Sequence, residues 1–213
     1  MLTLKNLAEI TPFQMHKALF VGFSILFLSS CSSEAQTKKN EECSAPSLVS
    51  RSVWKAKPAK VHLMKKQVPV SIVIHHSGSK RNTRSSVEKK LQNLQKFSQK
   101  KGRVGLKVKP AWGDVPYHFY INNDGKIGKA RDVIYAGDTN TGYNTKNKIQ
   151  IVVEGNFVLE KPTKGQKISL KKLLCWLRKK YKISKNEVYG HNEKASTACP
   201  GKNLTSILPE LLK

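Results

Sequence analysis

Acidic residues are scarce in this chain. Fourteen Asp and Glu stand against thirty-nine Lys and Arg, a formal charge of +25. A surface so short of carboxylates attracts polyanions, whether nucleic acid, anionic lipid or an acidic cell-wall polymer, and charge alone does not choose among them. Long hydrophobic runs are missing as well. The one apolar stretch near the N-terminus, Ala18 to Leu28, is too short to cross a bilayer comfortably. No internal repeat occurs, which excludes a stacked-repeat architecture. Cysteine is sparse, four in all, so each one needs its own account. Hydrophobic residues make up 38% of 213 positions, enough for the modest core of one domain plus a tail.

The N-terminal stretch reads as an export signal. Met15-His16-Lys17 supplies a positive start, Ala18 to Leu28 an apolar middle, and Leu28-Ser29-Ser30-Cys31 an end that resembles a bacterial lipobox. Residues 1–30 are expected to be the signal peptide, with Met15 a better start than Met1. Cleavage then falls before Cys31, which takes the lipid; an ordinary secretion signal cut nearby is the other reading. Residues 31–47 follow as the lipidated cysteine and a flexible tether of Ser, Glu, Lys, Asn and Gln. The folded domain is expected over 48–213. Ser32 after Cys31 resembles outer-membrane sorting, so the expected location is the bacterial cell envelope, facing the periplasm if the source is Gram-negative. Disulfides form in such a compartment. For Cys43 and Cys175 two readings stay open: a bridge tying the chain's entry to a helix, or two free thiols.

Strand and helix signals alternate along the rest of the chain. Val68 to Ile74 is β-branched and almost continuously apolar, as a central strand buried on both faces would be. Ser85-Ser86-Val87-Glu88 fits a capping box, and Val87, Leu91, Leu94 and Phe97 then recur at helical spacing. Lys89, Lys90, Lys96 and Lys100 take the wet side, and Gly102 ends the element. Tyr117 to Ile121 and Lys126 to Gly128 read as strands joined at Asn122-Asn123-Asp124-Gly125, where Asn and Gly accept positive φ. Ile149 to Val153 is another strand. Thr163 to Gln166 is a second capping box before Leu170, Leu173, Leu174, Leu177 and Tyr181. Glu187 to Tyr189 is a short strand, and Asn203 to Leu212 a closing helix. The expected fold is a single α/β domain, a central mixed but mostly parallel sheet flanked by helices. In such sheets sites gather at strand ends, where His75, Tyr117 and His191 all fall.

Three short motifs carry the chemistry. His75 closes the apolar run in Ile74-His75-His76-Ser77, His191 lies in Tyr189-Gly190-His191, and Cys199 lies in Thr197-Ala198-Cys199-Pro200-Gly201. Two imidazoles and one thiolate are a zinc-type set that leaves a fourth position for water, the pattern of a catalytic rather than a closed structural ion. If the three converge, the chain is a hydrolase. His76 points the opposite way on a strand, so it is not expected to bind metal.

Together with Ser50-Arg51-Ser52-Val53-Trp54, Trp112-Gly113-Asp114-Val115-Pro116-Tyr117-His118-Phe119 and Gly155-Asn156-Phe157, these motifs resemble the type 2 N-acetylmuramoyl-L-alanine amidases. That family includes phage lysozyme-amidases and the peptidoglycan recognition proteins. The resemblance runs from about Leu48 to Leu212. It implies one zinc ion on His75, His191 and Cys199, and hydrolysis of the amide between N-acetylmuramic acid and L-alanine. Tyr117 matches the family's catalytic tyrosine, a phenol placed to stabilise an oxyanion. Thr197 stands where some members have lysine and is paired with Tyr117 as an assistant. His118 alternates away and ranks as support. His76, Asp114, Arg131, Asn144 and Asn156 are the expected substrate contacts. Val152 stands where many bacterial members carry Glu, and valine is no general base. Glu154 is the reserve candidate, more naturally a salt-bridged strand-end residue.

The expected partners are peptidoglycan or muropeptides, and the membrane through the lipid anchor. No specific nucleic acid is expected, since the lysines are spread over helices and tether, and the chain is expected to be a monomer. A sensor with the same fold and no turnover is the alternative, kept alive by Val152 and Thr197 and opposed by the presence of Cys199.

Overall fold

A computed structural model describes residues 43–213. The signal peptide, the Met15 start, Cys31 and most of the tether lie outside the described residues. Among these residues no helix is long and apolar enough to cross a membrane.

Six strands form one sheet: β1 (Leu48–Val49), β2 (Ser71–His76), β5 (Phe119–Ile121), β6 (Ile127–Lys129), β7 (Lys148–Val153) and β8 (Val188–Gly190). Their order is β1-β6-β5-β7-β2-β8. Only β5 and β6 run antiparallel, through the turn in which Gly125 takes φ +90°; the other pairs are parallel. The sheet is mixed and mostly parallel, as expected. β2 and β7 are interior strands, which is why they can be apolar nearly throughout.

Side-chain alternation divides the core in two. Ile72, Ile74, Ile149, Ile151 and Val153 point to one face and pack on Leu170, Leu173, Leu174 and Leu177 of α2 (Lys164–Tyr181). Each of those leucines is buried, a contribution of roughly 1.5–3 kcal/mol apiece. Val152 and Tyr120 point to the other face, where Val87 and Leu91 of α1 (Val87–Ser98) meet Trp54. Two short helices, α3 (Lys202–Thr205) and α4 (Leu208–Leu211), replace the single closing helix that the sequence suggested.

Thr163 and Gln166 form the expected capping box of α2. The one expected at Ser85 does not form. Ser86 caps α1 by accepting from Lys89 N, while the Ser85 hydroxyl is bound by Asn82. Nor does Gly102 end α1. The helix stops at Ser98, and Lys109 Nζ caps it by donating to the Ser98 and Lys100 carbonyls (2.9 and 2.6 Å). Gly102 instead opens a hairpin absent from the sequence reading, β3 (Gly102–Val104) and β4 (Lys107–Lys109), which forms its own two-stranded sheet. Lys90 leaves the wet face to pair with Glu154 (2.8 Å).

Cys43 and Cys175 are joined as a disulfide, with Cα atoms 4.9 Å apart. The bridge fastens the entering chain to α2.

Candidate active site

β2 and β8 are neighbouring parallel strands, so their C-terminal ends lie side by side. β2 ends in His75 and His76, and β8 delivers His191 to the turn that follows it. His75 sits in register with Val152 and so faces the α1 side of the sheet. His76 faces the α2 side, where its Nδ1 accepts from Phe157 N (3.3 Å). Cys199 arrives from the loop before α3. Gly201 lets that loop pass: it takes φ +91°, and a Cβ there would stand 2.3 Å from the Phe157 backbone. His76 N–H points at Cys199 Sγ (3.3 Å).

The potential ligand atoms of His75, His191 and Cys199 all lie within 4.8 Å of one another. The far nitrogen of each imidazole is held. His75 Nε2 donates to Gln150 Oε1 (2.6 Å), since a carbonyl oxygen only accepts, and Tyr143 Oη donates to the same oxygen (2.7 Å). The Gln150 amide nitrogen is buried and has no partner among the described residues, at a cost of about 1–3 kcal/mol. His191 Nε2 meets Thr141 Oγ1 (2.9 Å), whose hydroxyl in turn meets Thr139 (2.7 Å). The bond to Gln150 leaves His75 with an Nδ1 lone pair on the side of Cys199, while the Thr141 hydroxyl anchors the far side of the His191 ring. His75 Nδ1 lies 3.7 Å from Sγ. His191 Nδ1 is buried with no hydrogen-bond partner among the described residues.

Electrostatics agree with this geometry. Burial, helped by His191, pushes His75 down to about 3, and burial pushes His191 down to about 4. Both imidazoles are neutral at physiological pH, the form that ligates metal. Burial pushes the Cys199 thiol up to about 12, against the opposing His76 N–H. A thiolate at this depth needs a cation beside it. Among the described residues, an orphaned His191 Nδ1, a fixed His75 tautomer and a buried thiol within 4.8 Å of both rings fit one zinc ion.

Above this cluster opens a cleft of about 630 Å³. Tyr117 lines it just before β5, its ring 5.2 Å from that of His75. Burial first, and the nearby Cys199 second, raise its pKa, so the phenol stays protonated and can donate. His118 turns away into the core. Its Nδ1 accepts from Gln150 N (2.7 Å), its Nε2 donates to Tyr135 O (2.8 Å), and burial pushes it down to about 4. Thr197 does not line the cleft; its hydroxyl oxygen accepts from Cys199 N (3.2 Å) and shapes the ligand loop.

Of the five expected substrate contacts only His76 borders the cleft. Asp114 and Arg131 are each about 1% exposed and serve the framework. Asp114 pairs with Arg51 (2.8 Å) and accepts from Gln95 (2.7 Å). Arg131 is spent on Asp138 and the carbonyls of Val115, Asp114 and Ala136. The Asn144 and Asn156 side chains each accept a backbone N–H in a local turn, from Lys146 and Val158. Beside Asn144, it is Tyr143 that reaches the site. Glu154 borders the cleft, but its oxygens already hold Asn82 N, Asn123 N and Lys90. Val152 also faces the cleft.

Gln150, Tyr143 and Thr141 were missed by the sequence reading. Gln150 had a signal: a lone amide within an otherwise apolar strand is a buried polar group that needs a reason. The two loop residues had none.

Residues 65–202 match the family model described as N-acetylmuramoyl-L-alanine amidase. Peptidoglycan recognition protein 1 of Rattus norvegicus is 30% identical over 163 residues, 76% of this chain and 85% of that protein. Among solved structures, the N-acetylmuramoyl-L-alanine amidase LysC from Clostridium intestinale superposes with a TM-score of 0.60 at 27% identity, over 78% of this chain and 98% of that one. A Drosophila PGRP-LB mutant in complex with tracheal cytotoxin gives 0.61 at 26% identity, over 75% and 92%.

Proposed function

This chain belongs to the N-acetylmuramoyl-L-alanine amidase family, and within it we propose a catalytic member: a zinc-dependent hydrolase of the amide between N-acetylmuramic acid and L-alanine in peptidoglycan. The observation that carries the proposal is the convergence of His75, His191 and Cys199 in an open cleft, with His75 Nδ1 3.7 Å from the Cys199 sulfur and His191 Nδ1 without a partner among the described residues.

His75, His191 and Cys199 would hold the ion. When bound, zinc supplies a Lewis acid and lowers the pKa of water toward about 7. The chain's own groups do the rest. Gln150 holds His75 in the ligating tautomer, and Thr141 anchors the His191 ring. Tyr117 donates its phenolic proton toward the oxygen on which negative charge develops. Thr197 braces the loop that carries Cys199. Glu154 is engaged by Lys90 and two backbone amides and is not assigned as base.

Muropeptides are the proposed ligands of the cleft, in line with the PGRP-LB complex with tracheal cytotoxin. We also propose that lipid on Cys31 holds the domain in the bacterial envelope, with the Cys43–Cys175 bridge as the fixed end of the tether. One observation favours a sensor without turnover: Val152 lies beside His75 in register and offers no base.

Mass spectrometry of peptidoglycan incubated with metal-loaded protein, next to a chelated sample, tests the two readings. Release of stem peptides beginning with L-alanine only in the zinc sample supports the amidase. Binding of the wall without release supports the sensor.

A further inference from the structure

The β3–β4 hairpin carries a tip that nothing among the described residues covers. Leu106 is 90% exposed, Val108 73% and Val104 45%. At the root the hairpin is held firmly. Lys109 Nζ donates to three carbonyls, those of Ser98, Lys100 and Pro110, and lies 4.4 Å from the Trp112 ring centre. The exposed tip is therefore borne on a fixed base.

Two features identify what would cover it. Directly paired residues share a face of a hairpin, and the pairs are Arg103 with Val108 and Val104 with Lys107. Val104 and Val108 thus lie on opposite faces, and Leu106 sits on the turn between them. No flat partner surface covers all three together, whereas immersion in a fluid apolar phase does. The second feature is charge. No acidic residue occurs between Glu88 and Asp114, while Lys96, Lys100, Lys101, Arg103 and Lys107 are exposed on or beside the hairpin. The tip itself has no aromatic ring, so it lacks the stacking platform that bases require. Aliphatic side chains ringed by cations match the boundary between headgroups and acyl chains in an anionic bilayer.

We propose that the β3–β4 hairpin is a membrane-docking wedge, its Val104-Leu106-Val108 tip entering an anionic phospholipid surface while the surrounding lysines and Arg103 bind headgroups. It acts independently of any lipid on Cys31 and of catalysis. Arg103 and Val104 also border the cleft, so docking sets the mouth of the cleft beside the lipid surface.

The test uses the full chain carrying Cys31→Ser, which removes the acylation site, and a reporter substitution, Leu106→Trp. The apolar segment 18–28 can bind vesicles by itself, so the local signal at position 106 decides and sedimentation does not. With phosphatidylcholine vesicles containing phosphatidylglycerol, the added indole fluorescence should shift to the blue. It should be quenched by brominated acyl chains, and the effect should weaken at high salt and be small on phosphatidylcholine alone. Adding Val108→Asp to the Leu106→Trp chain should cut the blue shift and the quenching about tenfold without changing zinc binding or circular dichroism. An indole that stays water-exposed while vesicles bind would overturn the proposal. So would protection of position 106 by soluble wall polymer or DNA but not by vesicles.

Discussion

Gln150 on β7 accepts the Nε2 proton of His75 on β2 at 2.6 Å, across two neighbouring strands. That one bond decides which nitrogen of His75 faces Cys199. Outer-shell partners of this kind typically carry 10–100-fold of metal affinity. Gln150→Leu should therefore weaken zinc binding about tenfold or more in chelator competition, with the fold retained by circular dichroism. Thr141→Val should do the same through His191. Unchanged affinity in both variants would refute the tautomer argument.

Tyr117 and Cys199 should separate cleanly. Cys199→Ala should lose zinc and activity together. Tyr117→Phe should keep zinc and lose roughly 10²–10³ in kcat, the usual size of one oxyanion donor. A fully active Tyr117→Phe protein would remove the phenol from the mechanism.

Glu154 provides a check on the missing base. Its oxygens are engaged by Lys90, Asn82 N and Asn123 N. Glu154→Gln should leave kcat within a few fold, with a lower melting temperature from the broken ion pair. A fall of about 10² or more in kcat, with zinc still bound, would make Glu154 the base after all.

Acid should weaken the metal-free fold. His75, His118 and His191 have folded-state values of about 3, 4 and 4, below the unfolded value of 6.5. Between those limits the unfolded chain binds more protons than the native one, so stability rises with pH across the window and is lost as pH falls from 6.5 toward 4. Each histidine contributes up to roughly 1.4 kcal/mol per pH unit. Urea denaturation of chelated protein at pH 7.5, 6 and 5 measures this, and a flat profile would count against neutral buried imidazoles.

Much of this molecule was legible in the chain. Ser71 to Ile74 could be read as part of a central strand because an interior parallel strand is buried on both faces and needs no polar alternation, whereas Val68 and Val70, expected in the same strand, precede it and are exposed. Thr163 and Gln166 announced the start of α2 because a capping box is a local contact between residues three apart. The β3–β4 hairpin escaped notice because its strands are short and largely exposed, leaving no burial pattern to read. Ser85 and Gly102 misled because each competes with a tertiary partner. Asn82 takes the Ser85 hydroxyl, and Lys109 caps the carbonyls that Gly102 was expected to serve.

The sequence by itself determined the donor types, their order and the strand ends that carry them. An imidazole or thiol is a property of one residue, and a strand end follows from local pattern. Only the tertiary structure decided which nitrogen of His75 faces the thiol, and that Tyr143 rather than Asn144 reaches His75. It also decided that Asp114 and Arg131 hold the frame instead of lining the cleft. Those outcomes depend on hydrogen bonds between residues far apart in the chain, and such bonds exist only after the sheet has brought the strands into register.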